Sequence, residues 1–150
     1  MIPIIGKSLH INWDELACKD GPNHTVGTPY PSEFINDGTA HKLSTMFENI
    51  RSLFNDKPIT ILSAFRTIEH NKKIGGATKS QHLFGRALDL KPPVGISIDK
   101  FYNTIKEFAV LFKITGIGKY KTFVHVDFRP SSNGRITYWK GIGVKDSKNV

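Results

Sequence analysis

A chain of 150 residues, 39% of them hydrophobic and 23% charged, is long enough for one hydrophobic core and too short for two full domains. The formal net charge of +8 favours an anionic partner such as nucleic acid, a membrane surface or an anionic cell wall. The basic residues are scattered, which argues against nucleic acid, and the single cysteine, Cys18, excludes an intramolecular disulfide and a four-cysteine zinc site.

The start of the chain, residues 1–6, lacks the basic stretch and the long apolar stretch of a secretory signal. No apolar run elsewhere approaches the roughly 18 residues that a membrane-spanning helix needs. We therefore expect one domain over residues 1–150, made in the cytoplasm without a signal peptide, monomeric and not inserted in a membrane. Segments 1–11 and 144–150 are expected to be peripheral to it.

The first half of the chain predicts an irregular start, a helix and a strand. Residues 1–35 carry turn-forming Gly and Pro residues around a short helical patch at 14–18. Apolar residues at helical spacing predict a core-facing helix over 36–54, and Lys57-Pro58 ends it. Residues 59–62 are then typical of a strand, followed by a short helix that Thr67 caps and that runs through about residue 73.

The second half predicts three strands and one more helix. Gly85 permits a bend before a strand over 86–90, and Ser97 caps a helix whose apolar stripe runs from Ile98 to Phe112. Gly116-Ile117-Gly118 is predicted as a turn. Residues 123–128 alternate as a strand, and a hairpin-like connection over 129–134 leads to a strand over 135–139. The order of elements favours an α+β fold, with an antiparallel sheet packed against two main helices.

Two histidines and one aspartate stand out against this framework. Asp89 and His125 fall on predicted strands whose neighbouring residues are apolar, and His82 lies just before the bend at Gly85. Two imidazoles and a carboxylate are the ligand set of an open zinc site, which keeps a fourth position for water. The spacing alone is also compatible with His82 as a loop histidine, Asp89 as an acid in a turn or salt bridge, and His125 as a histidine satisfied in the core.

Several motifs in a fixed order resemble the zinc D-Ala-D-Ala carboxypeptidase family, whose wider group includes lysostaphin and the hedgehog signalling domain. The resemblance is nearest to short peptidoglycan peptidases of phage endolysins and wall-remodelling enzymes, and it spans roughly residues 12–139. The motifs that carry it are Ser63-Ala64-Phe65-Arg66-Thr67, Ser80-Gln81-His82, Gly85-Arg86-Ala87-Leu88-Asp89 and Phe123-Val124-His125-Val126-Asp127.

The resemblance implies a hedgehog/D-Ala-D-Ala peptidase-like fold with zinc as its cofactor. The implied zinc ligands are His82, Asp89 and His125. Arg66 matches the family arginine that steadies the substrate or the developing oxyanion, with a structural salt bridge as the alternative. The implied reaction is amide hydrolysis, in which zinc activates a water molecule and polarises the scissile carbonyl.

Other residues are assigned around these ligands. Ser80 and Gln81 are expected to shape the metal loop and the substrate site, and Tyr120 is a candidate for substrate binding and proton transfer. Many relatives carry an acid three residues before the last histidine ligand, but this chain has Thr122 there. We expect Asp127 to act as the general base or to orient His125.

Three functions follow as hypotheses. The first is a peptidase that cuts an amide bond in the stem or cross-link peptides of peptidoglycan and acts at the bacterial wall after release, or is carried in a virion. The second is a non-catalytic, zinc-stabilised wall-binding or virion structural module, which the missing acid at Thr122 favours. The third is a cytosolic D-Ala-D-Ala dipeptidase.

Overall fold

The structure, a computed structural model, describes residues 10–144, so the segments expected to be peripheral lie almost entirely outside the described residues. The described chain forms helices and strands in mixed order. The helices are α1 (Trp13–Leu16), α2 (Ser32–Asn36), α3 (Thr39–Ser52), α4 (Ile68–Lys73) and α5 (Ile98–Phe108). The strands are β1 (Thr60–Ser63), β2 (Ala87–Lys91), β3 (Gly116–Lys119), β4 (Val124–Asp127) and β5 (Thr137–Lys140), with short 3-10 helices at Pro22–His24, Gln81–Phe84 and Ser132–Gly134.

The five strands form one sheet in the order β1-β2-β4-β3-β5. Pairing is antiparallel from β1 through β2 and β4 to β3, whereas β5 lies parallel to β3 at the edge. The predicted α+β class is confirmed, but the predicted hairpin between the last two strands is wrong. Strand β4 already has β2 on one side and β3 on the other, so β5 has to cross over and pair with the outer edge of β3.

The prediction of a turn at Gly116-Ile117-Gly118 is also wrong, because these residues form most of β3. Glycine weakens a strand unless another group needs the space above it. Here a Cβ atom at Gly116 would collide with the carboxylate of Asp127, and one at Gly118 would collide with the indole of Trp139. The glycines therefore make room for side chains that come from β4 and β5.

Helices α3 and α5 are the two main helices, and their apolar residues form one core with the inner face of the sheet. The predicted helix over 36–54 is divided in the structure, because Gly38 has φ +88° and separates α2 from α3. Helix α5 ends at Phe108, so Phe112, which was expected to continue its apolar stripe, packs against the core from the following turn. The main core side chains are Leu43, Phe47, Ile50, Phe101, Ile105, Leu88, Leu90, Val124 and Val126.

Two predicted helix caps are confirmed by hydrogen bonds. The Thr67 side chain accepts from the backbone N–H of His70 at the start of α4, and the Ser97 side chain accepts from that of Lys100 at the start of α5. Cys18 is buried and forms no disulfide. Within residues 10–144, no helix combines the length and the apolarity that crossing a bilayer would require.

Candidate metal centre

Strand register brings Asp89 and His125 together. The two residues are direct partners in the antiparallel pair of β2 and β4, so their side chains lie on the same face of the sheet. His82 reaches this face from the 3-10 helix at Gln81–Phe84, where the Ser80 side chain accepts from the His82 backbone N–H. Gly85 ends this helix with φ +67°, a backbone conformation that residues other than glycine rarely adopt.

The three side chains offer one donor atom each to a common point. Asp89 Oδ1 lies 3.1 Å from His82 Nε2 and 3.0 Å from His125 Nδ1, and the three donor atoms all lie within 4.8 Å of one another. Tetrahedral zinc with bonds of about 2.0–2.2 Å needs donor atoms roughly 3.4 Å apart. The donor set and its spacing therefore fit a zinc ion.

Hydrogen bonds behind the two imidazoles leave the metal-facing nitrogen atom of each neutral ring unprotonated. His82 Nδ1 lies 2.5 Å from the carbonyl oxygen of Ala64, which can only accept, so Nδ1 carries the proton and Nε2 has its lone pair free. His125 Nε2 lies 2.7 Å from Asp127 Oδ2 and donates to that carboxylate, so in the neutral imidazole Nδ1 carries the lone pair. Partners of this kind orient metal-binding histidines and raise their basicity.

Burial and charge set the protonation of this cluster. Burial lowers the pKa of His82, which keeps its imidazole neutral. Burial opposes ionisation of Asp89, but interactions with His82 and His125 hold the pKa of its carboxyl below the usual range. Burial also works against a charge on His125, yet hydrogen bonds to Asp127 and Asp89 raise its pKa. A proton therefore competes with a cation at His125 when the pH is lowered.

Arg66 lies beside the cluster and holds Asp89 in place. Its NH2 group donates to Asp89 Oδ2 at 3.0 Å, so the other carboxylate oxygen, Oδ1, faces the two histidines. Its Nε donates to Ser63 at 3.1 Å and its NH1 group donates to Asn71 at 3.2 Å. Three of the five N–H groups of the guanidinium are thus already in use. Both expected roles of Arg66, substrate contact and salt bridge, have a basis in this geometry.

Asp127 lies behind His125. Its side chain has no exposed surface and also accepts two hydrogen bonds from the Arg129 guanidinium, at 2.9 and 2.6 Å. Burial opposes ionisation of Asp127, but hydrogen bonds from His125 and Arg129 lower the pKa of its carboxyl. A carboxylate with both oxygens engaged and no solvent contact is poorly suited to take a proton from water. The placement favours the expected orienting role over the expected base role.

An open pocket of about 420 Å³ leads to the donor atoms. The expected substrate residues Ser80, Gln81 and Tyr120 all line it, whereas Thr122 is exposed in the turn between β3 and β4 and does not. In the part of the chain that the structure describes, Asp89 is the one acid that lines the pocket. The lining residues that the sequence analysis did not assign include two cationic side chains, Lys79 and Arg129, and the indole of Trp139.

A sequence signal for Trp139 does exist. Gly118 lies in β3, and glycine inside a strand often marks the close approach of another group. No pattern in the sequence indicates which residue approaches. The position of Trp139 above Gly118 follows only from the pairing of β3 with β5.

Comparison with known proteins agrees with this geometry. A family model described as Peptidase M15 matches residues 9–127, which is well over half of the chain and includes the three donor residues. The chain belongs to the Peptidase M15 family. The resemblance inferred from the motifs is thereby confirmed.

One curated relative of this M15 chain is the zinc D-Ala-D-Ala carboxypeptidase of Streptomyces albus G. The two sequences are 42% identical over 53 residues, which are 34% of this chain and 21% of the relative. The chain thus spans about a fifth of the length of the relative that it matches. The expected zinc cofactor agrees with the name of this relative and with the His-Asp-His cluster, which could hold a metal ion.

Proposed function

We propose that this M15 chain is a zinc peptidase that hydrolyses an amide bond in the stem or cross-link peptides of peptidoglycan, and that it acts at the bacterial wall. The observation that carries the proposal is the convergence of His82 Nε2, Asp89 Oδ1 and His125 Nδ1 at an open pocket. Membership of a peptidase family and the name of the Streptomyces relative support it.

When bound by His82, Asp89 and His125, zinc would lower the pKa of a water molecule and polarise the scissile carbonyl. The residues around the ligands keep this arrangement rigid. The Ala64 carbonyl and the Asp127 carboxylate fix the two imidazoles, and Arg66 fixes Asp89. Each ligand is therefore held from behind, so that little reorganisation is needed during the reaction.

The charges of the pocket suit an acidic peptide. Three cationic side chains, Arg66, Lys79 and Arg129, line it against one lining acid, Asp89. Ion pairs of Arg66 with Asp89 and of Arg129 with Asp127 neutralise part of this charge and leave an excess of positive charge. A substrate with a terminal or side-chain carboxylate would therefore meet a net positive pocket. The formal net charge of +8 would also draw the protein to an anionic wall.

Digestion of purified peptidoglycan, with mass spectrometry of the released fragments, tests this proposal. We expect fragments cut at a peptide amide bond, loss of cleavage after chelation, recovery on adding zinc, and no cleavage by His82→Ala. A soluble D-Ala-D-Ala peptide, run in parallel, separates wall digestion from dipeptidase activity. Intact peptidoglycan and intact peptide after incubation with the zinc-loaded protein would refute the proposal.

A non-catalytic, zinc-stabilised module is the second candidate. It is favoured by the absence of any acid other than Asp89 among the described residues that line the pocket, since a general base is a common part of such peptidases. In that case zinc would raise the melting temperature of the chelated protein, yet neither the wall nor the soluble peptide would be cut. The same digestion experiment therefore decides between the two candidates.

A further inference from the structure

Tyr120 is held rigidly in the wall of the pocket. Its ring stacks on Phe123 with the centroids 4.4 Å apart and the planes 8° apart. The backbone of Gly141 lies close to the ring, where a Cβ atom would come within 2.5 Å of Tyr120 Cδ2. The backbone N–H of Tyr120 also donates to the Phe123 carbonyl at 3.0 Å and closes the turn between β3 and β4. The phenol ring is thus fixed by its turn and by the segment after β5.

Trp139 sets the direction of the Tyr120 hydroxyl. The indole Nε1–H can only donate, and it lies 2.9 Å from the phenol oxygen. The phenol oxygen therefore accepts this hydrogen bond, and its own O–H must point elsewhere. Within residues 10–144 no protein acceptor receives that O–H, while Tyr120 lines the pocket. The hydroxyl proton is available to a bound substrate.

Trp139 is itself fixed by three contacts. Its indole fills the space above Gly118, its ring lies 5.0 Å from that of His125, and the Arg129 guanidinium lies 4.9 Å above it. The residue lies on β5, beyond the residues 9–127 that the family model matches. The position of the hydroxyl thus depends on a strand outside the matched part of the chain.

We infer that Tyr120 donates a hydrogen bond to the substrate oxygen that becomes negatively charged when the amide is attacked, and that Trp139 is the residue that positions it. Arg66 has two N–H groups left for this task, because the other three bind Ser63, Asn71 and Asp89. A donor fixed before the reaction costs no reorganisation when charge develops. This inference rests on the proposed hydrolysis.

A double-mutant cycle tests the inference. We expect Tyr120→Phe, which keeps the stacked ring, to lower kcat about 100-fold with KM changed less than about twofold, because the hydrogen bond forms mainly in the transition state. Trp139→Phe should lower kcat about tenfold, and it should have no further effect in the Tyr120→Phe background. Tyr138→Phe is the matched control, since Tyr138 is the exposed neighbour on β5 and does not line the pocket.

Several results would overturn the inference. Independent effects of the two substitutions, or a change confined to KM, would each show that Trp139 does not act through Tyr120 on the transition state. Zinc affinity, measured by calorimetry, should stay within about threefold in each variant, and a larger loss would assign the effect to the nearby His125 instead.

An NMR measurement that does not depend on catalysis accompanies the double-mutant cycle. In the chelated protein, the indole N–H signal of Trp139 in a proton–nitrogen NMR spectrum should move in Tyr120→Phe and stay in place in Tyr138→Phe. An unmoved signal rules out the hydrogen bond that aims the hydroxyl. If the wild-type protein cleaves nothing, the proposed function fails and the donor role fails with it. If the wild type cleaves and Tyr120→Phe matches it, this inference alone fails.

Discussion

Strands β2 and β4 have two faces that are buried to a similar degree but held together in different ways. The apolar face packs against α3 and α5 through dispersion and the exclusion of water, and it consists of Leu88, Leu90, Val124 and Val126. The polar face is held by hydrogen bonds and ion pairs, and it consists of Asp89, His125 and Asp127. None of these seven residues is more than 7% exposed. Burial by itself therefore does not separate core from site.

The different interactions on the two faces predict which property each face controls. A substitution on the apolar face removes packing and lowers the free energy of unfolding. A substitution on the polar face removes a donor or its support, and so lowers metal affinity and activity before it affects folding. The experiments below test that division in order of decreasing effect.

Removal of a donor should have the largest effect. We expect His82→Ala to lose zinc binding, because two protein ligands remain, and to lose at least about 1000-fold in the rate of peptide cleavage. Zinc titration by calorimetry and the cleavage assay measure these changes. His41→Ala is the control, since His41 is an exposed histidine on α3. Tight zinc binding by His82→Ala would remove this residue from the donor set.

Truncation on the apolar face comes next. Leu88 is fully buried, so Leu88→Ala should lower the free energy of unfolding by about 3 kcal/mol, measured by urea denaturation. Zinc affinity should change only a few-fold at temperatures where the variant is folded. Leu62→Ala serves as the matched control, because Leu62 is 41% exposed on β1 and should cost well under about 1.5 kcal/mol. Equal losses in the two variants would contradict the division between faces.

Substitution of the residue behind His125 should have an intermediate effect. Asp127→Asn keeps the shape of the side chain but removes the negative charge next to the imidazole N–H. We expect zinc affinity to fall about 10- to 100-fold, as for other partners of metal-binding histidines. Asp14→Asn, at an exposed acid on α1, is the control. Wild-type zinc affinity in Asp127→Asn, together with wild-type turnover, would exclude both expected roles of Asp127.

The smallest effect is expected at Tyr30, which links the core to the turn that presents His82. Its hydroxyl donates to the Gly85 carbonyl at 2.8 Å, so Tyr30→Phe should cost about 1 kcal/mol in free energy of unfolding at neutral pH. Burial raises the pKa of Tyr30 above its usual value. The folded state therefore holds this proton more tightly than the unfolded state, and the stabilisation is present below about pH 10 and lost above it.

The difference between wild type and Tyr30→Phe, measured by denaturation at several pH values, should thus shrink as the pH rises past 10. A constant difference across that range would show that the proton on Tyr30 does not contribute to stability.

Local features of the fold could be predicted from the sequence because they depend on neighbouring residues. The caps at Thr67 and Ser97, the two apolar helix stripes and the bend at Gly85 all follow from residue type and spacing. The face that His125 and Asp127 share also follows from alternation along one strand. The motif order was specific enough to predict both the M15 family and the residues that converge at the pocket.

Features that depend on distant parts of the chain could not be predicted. Gly116 and Gly118 resemble a turn until Asp127 and Trp139 are placed above them. The parallel pairing of β5 leaves no periodic signal, because it depends on which edge of the sheet is free. The role of Asp127 depended on its depth behind His125, which alternation does not determine.

The place of β5 in the chain has a consequence for biosynthesis. A polypeptide is synthesised from its N-terminal end. The last of the three metal donors is His125, whereas β5 begins at Thr137. Strand β5 then has to find the outer edge of β3. Strand β5 is thus the last of the described strands to be synthesised, so Trp139 joins the pocket wall after all three metal donors have been made.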